Sequence, residues 1–360
     1  MAEFEAPQSR NEAILQNILG AENELPAPQS RNERLLLKLL GEDVETEEPQ
    51  SRIETLLTML VEQGVGGDRD WSEIGYAKEP DFIKEGFEYA KQIKDSWNPS
   101  DTARTFGHDT NLIFMPMVDT SNISRFSNMF NSCKYLLYVP TLSISASKNM
   151  SGAFEGCMSL KSVPLLDTSE VTNTASMFAN CVVLKSVPLF DLQTVKLAQH
   201  MFDNCQSLKT VPQFNTGSVT QFSYMFTKCT SLESVPLLNT SKALYTDNMF
   251  SGCTSLVSVP LFDLHLVANA GSMFRNCDSL ESVPIFNLAK VKNSSDVQDM
   301  FYGCGKLSDE SLNNILGMCI GATAYTGTKT LAKLGLSTTQ KTKCQSLSNW
   351  DAFVAAGWTA

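Results

Sequence analysis

The chain has 360 residues, of which 42% are hydrophobic, so it is long enough to bury a sizeable core. Its formal net charge is −11, and residues 1–64 hold 13 acidic and 5 basic side chains, which places −8 of that charge there. This balance argues against a nucleic-acid-binding face, which needs a basic stripe. No stretch has the roughly 18 apolar residues of a membrane span.

Residues 1–64 repeat one motif at a period of 21 residues. In each copy a serine and a glutamate three residues later form the pattern of a capping box, which starts a helix. A short amphipathic helix with an apolar leucine face follows, and a glycine ends it. The residues predicted to anchor the chain to a partner are Ser9, Arg10, Glu12, Leu15, Leu19, Ser30, Arg31, Glu33, Leu36, Leu40, Ser51, Arg52, Glu54, Leu57 and Leu60.

Two interpretations of these helices stay open. They can pack together as a small three-helix bundle, or each can dock into a groove of another protein as one of three linked anchors. The tandem Pro-Gln-Ser-Arg-x-Glu opening resembles the N-termini of structural proteins of phages that infect Firmicutes. That resemblance implies attachment to other proteins of a virus particle, in multiple copies.

Residues 65–108 are predicted to form a linker and the N-terminal cap of a solenoid. Glycines at 64, 66 and 67 break the chain, and an apolar face predicts a helix over residues 81–96. A cap is expected because an uncapped first coil would expose its core. Residues 305–360 are predicted to form a helical C-terminal cap, with helices at 312–320, 338–347 and 349–355, the last capped by Ser348.

A repeat of 24 residues occupies residues 109–304 and predicts a solenoid of about eight coils. A phenylalanine stands three residues before each cysteine of the repeat, and a proline keeps the same interval. The repeated cysteines are Cys133, Cys157, Cys181, Cys205, Cys229, Cys253 and Cys277, followed by Cys304 after 27 residues. We therefore predict an α/β repeat solenoid of the leucine-rich-repeat type with parallel strands.

One coil shows how the repeat is expected to fold. Leu160, Val163 and Leu165 have the L-x-x-V-x-L spacing of a short strand whose alternate residues enter the core. A polar turn follows at residues 167–169, and a short helical or 3₁₀ turn is expected over residues 173–178. The motif M-F-x-x-C-x-S-L-x-S-V-P-L-L-D-T-S-x-V-T-N resembles the BspA-type leucine-rich repeat of bacterial and protist surface proteins and of virion proteins of gut phages, which implies binding at a surface.

The outer surface supplies the candidate ligand site. Strand alternation predicts an outward apolar stripe, although the same side chains can instead turn into the core at the strand end. The stripe would consist of Leu166, Phe190, Phe214, Leu238, Phe262 and Phe286. Aromatic residues at variable coil positions suit a glycan or protein ligand. They are Tyr135, Tyr138, Phe222, Tyr224 and Tyr245.

The sequence contains few features that point to catalysis or metal binding. No catalytic, cofactor-binding or metal-binding motif is found, so we predict no catalytic residues, no cofactor and no enzyme activity. The ten cysteines are predicted to be free thiols in the core, because the acidic N-terminus has no signal peptide and a cytoplasmic chain keeps its thiols reduced.

These features predict a phage virion protein, made in the bacterial cytoplasm, that displays its repeat domain to the host or its surroundings. Host cell-surface glycan or protein is the expected ligand, with no nucleic-acid or membrane partner. A particle decoration protein without a receptor and a bacterial BspA-like scaffold are the alternatives.

Overall fold

Parallel β-bridges between successive coils show the repeat of 24 residues in three dimensions. The residues that the computed structural model describes are 89–90, 92–96, 106–113, 115, 120–137, 139–140, 142–144 and 147–360. The bridged residues lie one repeat apart and are Asn149, Asn173, Leu197, Gln221, Tyr245 and Asn269. Because each of these residues pairs with its equivalent in the next coil, successive coils lie stacked on one another. The chain is therefore a repeat solenoid.

Stacked phenylalanine rings form the centre of the core. Rings of successive coils lie 5.3–5.7 Å apart between centroids, from Phe106 on Phe130 to Phe274 on Phe301. Offset stacking at this distance adds to the stabilisation that burial itself gives. Phe106 takes part in the stack and lies just before residue 109, where the sequence placed the first coil.

A row of thiols runs beside the phenylalanine stack. Each thiol from Cys133 to Cys304 donates to the backbone carbonyl of a phenylalanine in the preceding coil, at 3.0–3.1 Å. All ten cysteines of the chain are buried and free, as predicted. The cysteine therefore fills the space of a small apolar side chain and gives a buried carbonyl a hydrogen-bond partner.

The predicted parallel strands are reduced to isolated bridges in the described residues. After the core leucine of each coil, one backbone bond joins neighbouring coils, such as Glu281 N to Val257 O at 2.9 Å or Glu233 N to Lys209 O at 3.1 Å. The proline that follows lacks an N–H and cannot extend the ladder. The repeated proline is therefore the reason that the coils do not form continuous strands.

A tight turn after the proline reverses the predicted direction of the next two side chains. The N–H of Phe190 donates to the Pro188 carbonyl at 3.0 Å, and Phe214 bonds Pro212 in the same way at 2.9 Å. Such a bond to the second residue back is that of a γ-turn, which breaks strand alternation. At the equivalent position of another coil, Leu165 is 58% exposed.

One prediction about this segment was wrong, since Leu165 does not enter the core. Of the two alternatives for the residues that follow it, the second is confirmed: their side chains turn into the core and form no outward stripe. These buried residues are Leu166, Phe190, Phe214, Leu238, Phe262 and Phe286, each no more than 2% exposed.

The return segment of each coil consists of consecutive turns, where a short helical turn was predicted. Met177 N bonds Thr174 O and Ala179 N bonds Ser176 O, both at 3.1 Å. Ser176 and Asn180 have φ of 55° and 62°, a left-handed conformation that a right-handed helix does not contain. The predicted polar turn is present, since the Ser169 hydroxyl donates to Asp167 Oδ1 at 2.7 Å.

The solenoid is covered at its N-terminal side by residues of the predicted cap. Residues 89–90 and 92–95 are helical, within the helix predicted over 81–96. Ala90 and Ile93 are buried, and Ile93 belongs to the same core as the coils. The rest of the predicted linker and cap before residue 89 lies outside the described residues, as do the helices predicted in residues 1–64.

Three α-helices and two 3₁₀ turns follow the regular coils. The helices are α1 (Asp309–Gly321), α2 (Thr338–Cys344) and α3 (Trp350–Ala355), and the 3₁₀ turns are Ser294–Val297 and Leu331–Leu334. Helices were predicted at all three of these places. α2 begins with a capping box, in which Ser337 and Gln340 each bond the backbone N–H of the other.

The predicted cap of α3 is incorrect. Asn349 is its N-cap residue and makes no side-chain capping bond. The Ser348 hydroxyl instead donates to Asn313 Oδ1 of α1 at 3.2 Å, and the same oxygen accepts from Asn349 N at 2.9 Å. The helix start is thus held by the neighbouring helix. The expected aromatic closure is present, with Phe353 stacked on Trp350 and beside Trp358, at 5.3 and 5.8 Å between centroids.

Candidate functional site

An exposed row of aliphatic side chains runs along the solenoid, directly after the repeated prolines. We call it the leucine ribbon, and its members are Leu165, Leu189, Leu237, Leu261 and Ile285. Each of them is 51–61% exposed, although the residue that follows it in sequence is buried. In the coil of Leu189, the bond from Phe190 N to the Pro188 carbonyl turns the backbone so that Leu189 faces outward. Aligned exposed apolar residues of this kind mark interaction surfaces.

Gln213 occupies the one polar place in the ribbon. Its side-chain amide donates to the backbone carbonyl of Leu237 in the next coil. The polar amide group of Gln213 is therefore bonded to the backbone of the next coil. The ribbon is for this reason not interrupted by an unbonded amide in this coil.

Charged side chains lie four residues before five of the six positions along this row, and their sign changes along the solenoid. The first three of these six coils carry Lys161, Lys185 and Lys209, whereas the later three carry Glu233, Val257 and Glu281. Where the two signs meet, Lys209 Nζ lies 3.7 Å from Glu233 Oε1, and both side chains are more than half exposed. An exposed pair of this kind adds little stability. The charge order is therefore a property of the surface that the fold does not require.

A second surface lies on the return segments of three consecutive coils. We call it the aromatic patch, and it consists of His200, Tyr224 and Tyr245. The rings of His200 and Tyr224 stack at 4.5 Å between centroids, and His200 Nδ1 lies 2.8 Å from Asp203 Oδ2. Tyr245 is 40% exposed on the following coil, where its carbonyl accepts from Phe222 N at 3.0 Å.

The backbone of the patch is strained at two of its members. His200 and Tyr224 have φ of 58° and 61°, whereas the equivalent position holds glycine or a small polar residue in other coils, such as Gly152 or Asn248. Bulky residues seldom adopt this left-handed conformation, and strain of this kind is concentrated at functional sites. The two adjacent rings therefore occupy positions that the fold would fill more easily with smaller residues.

The structure separates the five residues predicted to bind a ligand. Tyr224 and Tyr245 lie on the return segments of neighbouring coils. Tyr135 is 57% exposed but follows Cys133 at another place in the coil, away from the return segment. Phe222 is fully buried, so its prediction was wrong: its side chain belongs to the core, whereas its neighbours Gln221 and Ser223 are half-buried. Tyr138 and all the predicted anchoring residues lie outside the described residues.

Sequence reasoning missed a polar cluster on the last coil. Arg275 Nη1 lies 2.6 Å from Asp299 Oδ2, and the guanidinium sits 4.6 Å from the centre of the Tyr302 ring. Three extra residues lie between Cys277 and Cys304. Asp299 and Tyr302 are therefore three residues further from the preceding cysteine than their equivalents in the other coils. That insertion was the signal that this coil differs from the others.

The buried thiols have low reactivity. Burial raises the pKa of the Cys133 thiol from 9.0 to about 12, and it raises the pKa values of Cys157, Cys205 and Cys229 well above 9.0. The thiolate is the reactive form, so these side chains are poor nucleophiles near neutral pH.

Metal and membrane sites were also sought in the described part of the chain. No group of three or more His, Cys, Asp or Glu side chains there is placed to hold a metal ion. Within the same residues, no helix has the length and apolarity needed to cross a membrane.

Two overlapping stretches of the chain, residues 100–213 and 198–315, match one protein family, described as "Mycoplasma protein of unknown function, DUF285". Together they cover more than half of the chain. The chain belongs to the DUF285 family. The match spans the stacked coils and reaches into α1, so the BspA-like repeat predicted from the sequence is confirmed at the level of the family. No curated protein matches the chain.

A solved structure is also similar to this DUF285 chain. It is a crystal structure of a leucine-rich repeat protein from Bacteroides ovatus ATCC 8483, with 14% sequence identity over 51% of this chain and 74% of that one. The TM-score is 0.15, which is too low to support an argument. The solenoid architecture follows instead from the coil-to-coil bonds of the chain itself.

Proposed function

We propose that this protein is a non-enzymatic structural protein of a phage particle, whose solenoid binds a glycan or protein on the host surface through the aromatic patch. Residues 1–64 attach it to other virion proteins. The observation that carries the binding role is the stacked pair of His200 and Tyr224, two large side chains at left-handed positions.

The patch has the chemistry of a recognition site. Aromatic rings offer a rigid apolar surface at a small cost in conformational entropy, and the Tyr hydroxyls and His200 ring nitrogens add hydrogen-bonding groups. The rest of the solenoid can be built without them, since other coils hold asparagine, serine or glycine at the same position. A function outside the core explains why two adjacent coils depart from that pattern.

The proposal for residues 1–64 rests on their repetition and on their resemblance to phage structural proteins. Three near-identical helices suit three equal grooves better than a bundle, where each helix needs a different partner face. Burying four leucine-class side chains contributes roughly 6–12 kcal/mol per helix, at about 1.5–3 kcal/mol each. Ordering about ten residues costs roughly 10–20 kcal/mol, at roughly 1–2 kcal/mol apiece, which offsets this gain. One anchor is then weak, and linking three anchors strengthens binding through their effective concentration.

The binding role is tested with the purified full chain and host cells or cell-wall extract. Replacing Tyr224 and Tyr245 together with alanine should weaken binding by roughly tenfold or more, because aromatic residues dominate such interfaces. Tyr135→Ala is the matched control, as it removes an exposed tyrosine from another part of the coil. Absence of binding by the folded chain to any host fraction would favour a decoration protein without a receptor.

The anchoring role is tested by particle assembly. Leu36→Asp with Leu40→Asp should lower incorporation into phage particles partly, and the matching changes in all three repeats should abolish it, because avidity depends on the number of anchors. Full incorporation after deletion of residues 1–64 would refute the anchor. A chain found only in bacterial cells and never in particles would favour the bacterial scaffold.

A further inference from the structure

The leucine ribbon lacks a covering partner within the described chain. Its five aliphatic side chains are more than half exposed, and half-buried prolines lie beside them in every coil. The adjacent row before the prolines is also exposed and is formed by serine and threonine, including Ser162, Thr210 and Ser282. A flat, apolar and weakly polar strip of this extent is what a protein interface requires at its centre.

The charges beside the ribbon identify the kind of surface that would fit on it. Reading along the solenoid, the row four residues before the ribbon contains Lys161, Lys185, Lys209, Glu233, Val257 and Glu281. The change of sign falls between the third and the fourth of these six coils. A surface with the reverse order of charges and a matching apolar row would complement it, and the same strip turned end to end has both properties.

We propose that the leucine ribbon is the contact face of a symmetric dimer, in which a second copy of this chain lies antiparallel across it. The two-fold axis lies in the plane of the contact and passes between the coils of Lys209 and Glu233. Rotation about this axis reverses the order of the coils and places each row on the same row of the partner. The contact is therefore isologous and closed.

The residues pair well under this rotation. Lys161 meets Glu281 and Lys209 meets Glu233, each pair occurring twice across the axis. Lys185 meets Val257, so no like charges face each other. In the ribbon itself, Leu165 meets Ile285 and Leu189 meets Leu261. Nearest the axis, Gln213 meets Leu237, and the Gln213 amide is already bonded within its own chain.

The size of the strip fits a concentration-dependent dimer. Six coils at about 4.8 Å each are about 29 Å long, and the five residues from Lys161 to Leu165 span about 16 Å at 3.3 Å per residue. The strip thus covers roughly 460 Å² on each partner, which is at the low end of the range for protein interfaces.

A parallel arrangement of two copies is disfavoured by the same charges. A face-to-face contact with the coils in the same order needs a two-fold axis along the solenoid, which reverses the order of the rows across the strip. It would lay the row of Lys161, Lys185 and Lys209 against the leucine ribbon of the partner, where these charges would have no partners. A partner other than a second copy would need the reversed charge order by coincidence. The antiparallel copy has it by symmetry.

The ribbon is tested with the full chain by sedimentation equilibrium over a range of concentrations. The chain should be dimeric, and Leu189→Glu with Leu261→Glu should raise the dissociation constant at least about 100-fold, because four apolar side chains, which form two contacts of the dimer, become carboxylates. Leu266→Glu is the matched control on the same solenoid outside the ribbon and should leave the dimer unchanged. A chain that is monomeric at every concentration, or a dimer unaffected by the ribbon substitutions, would overturn the proposal.

The antiparallel geometry has a sharper test in charge reversal. Lys161→Glu alone and Glu281→Lys alone should each weaken their homodimer by roughly tenfold, since each creates two like-charge pairs. A mixture of the two variants should form a heterodimer as tight as the wild-type dimer, because every pair is then opposite in sign. Lys196→Glu, on the return segment, should have no effect. A mixture that associates no better than its components would refute the antiparallel contact.

Discussion

The interior rows and the leucine ribbon are equally regular in sequence, but only the interior rows are required by the fold. Leu166 and its equivalents are no more than 2% exposed and touch the phenylalanine stack, as Phe190 does with Phe178 at 5.8 Å. Leu165, one residue earlier, is 58% exposed. Inside the stack a repeated residue meets its own copy in the next coil, which explains the repetition. Outside the stack, repetition has no such cause and points to a binding surface.

The largest expected difference between these regions is in their response to alkaline pH. Buried thiols keep their protons in the folded chain, where the Cys133 pKa rises from 9.0 to about 12, whereas the unfolded chain releases them above pH 9. The unfolded state then binds fewer protons, so the free energy of unfolding falls as pH rises from 9, by up to about 1.4 kcal/mol per thiol and pH unit.

This effect is measured by urea unfolding at pH 7.5 and 9.5 under reducing conditions. In a chain with Cys205→Ala and Cys229→Ala, the free energy of unfolding should depend less steeply on pH than in the wild type, because two thiols of the row are absent and no longer titrate. Identical pH dependence of the two chains would contradict the assignment to the buried thiols.

The next largest effect separates two adjacent leucines. Leu166→Asp should lower the free energy of unfolding by about 4 kcal/mol or more, because it leaves an unpaired carboxylate in the core. Leu165→Asp should change it by no more than about 0.5 kcal/mol, since that side chain is in solvent. Chemical unfolding of the full chain followed by circular dichroism gives both values, and similar losses for the two variants would contradict the observed difference in burial between the two side chains.

The smallest expected effect is a gain of stability on the aromatic patch. Tyr224→Asn should raise the free energy of unfolding by up to about 1 kcal/mol, because asparagine tolerates a left-handed conformation better than tyrosine does. Binding to host material should fall in the same variant. Asn248→Tyr, at the equivalent position of the next coil, should have the opposite effect on stability, and a loss of stability in Tyr224→Asn would argue that the patch supports the fold.

Much of this architecture could be predicted from the sequence. The interval of the cysteines and phenylalanines gives the length of a coil, because only a stacked structure needs the same side chain at every turn. The positions of α1, α2 and α3 were predicted to within a few residues, although the predicted capping residue of α3, Ser348, was wrong. The candidate site was predicted in part: Tyr224 and Tyr245 were found as exceptions to the repeat, but Phe222 looks equally exceptional and is buried.

What the sequence alone determined is therefore the repeat, its core residue types and the free state of its thiols. The direction of each side chain after the proline depended on the tertiary structure. Strand alternation would bury Leu165, which is 58% exposed, and would expose Leu166, which is buried. The proline has no N–H, so strand pairing with the next coil ends there and no longer holds the side chains to alternation. In two coils the backbone then turns back on itself, as Phe190 N does to the Pro188 carbonyl at 3.0 Å.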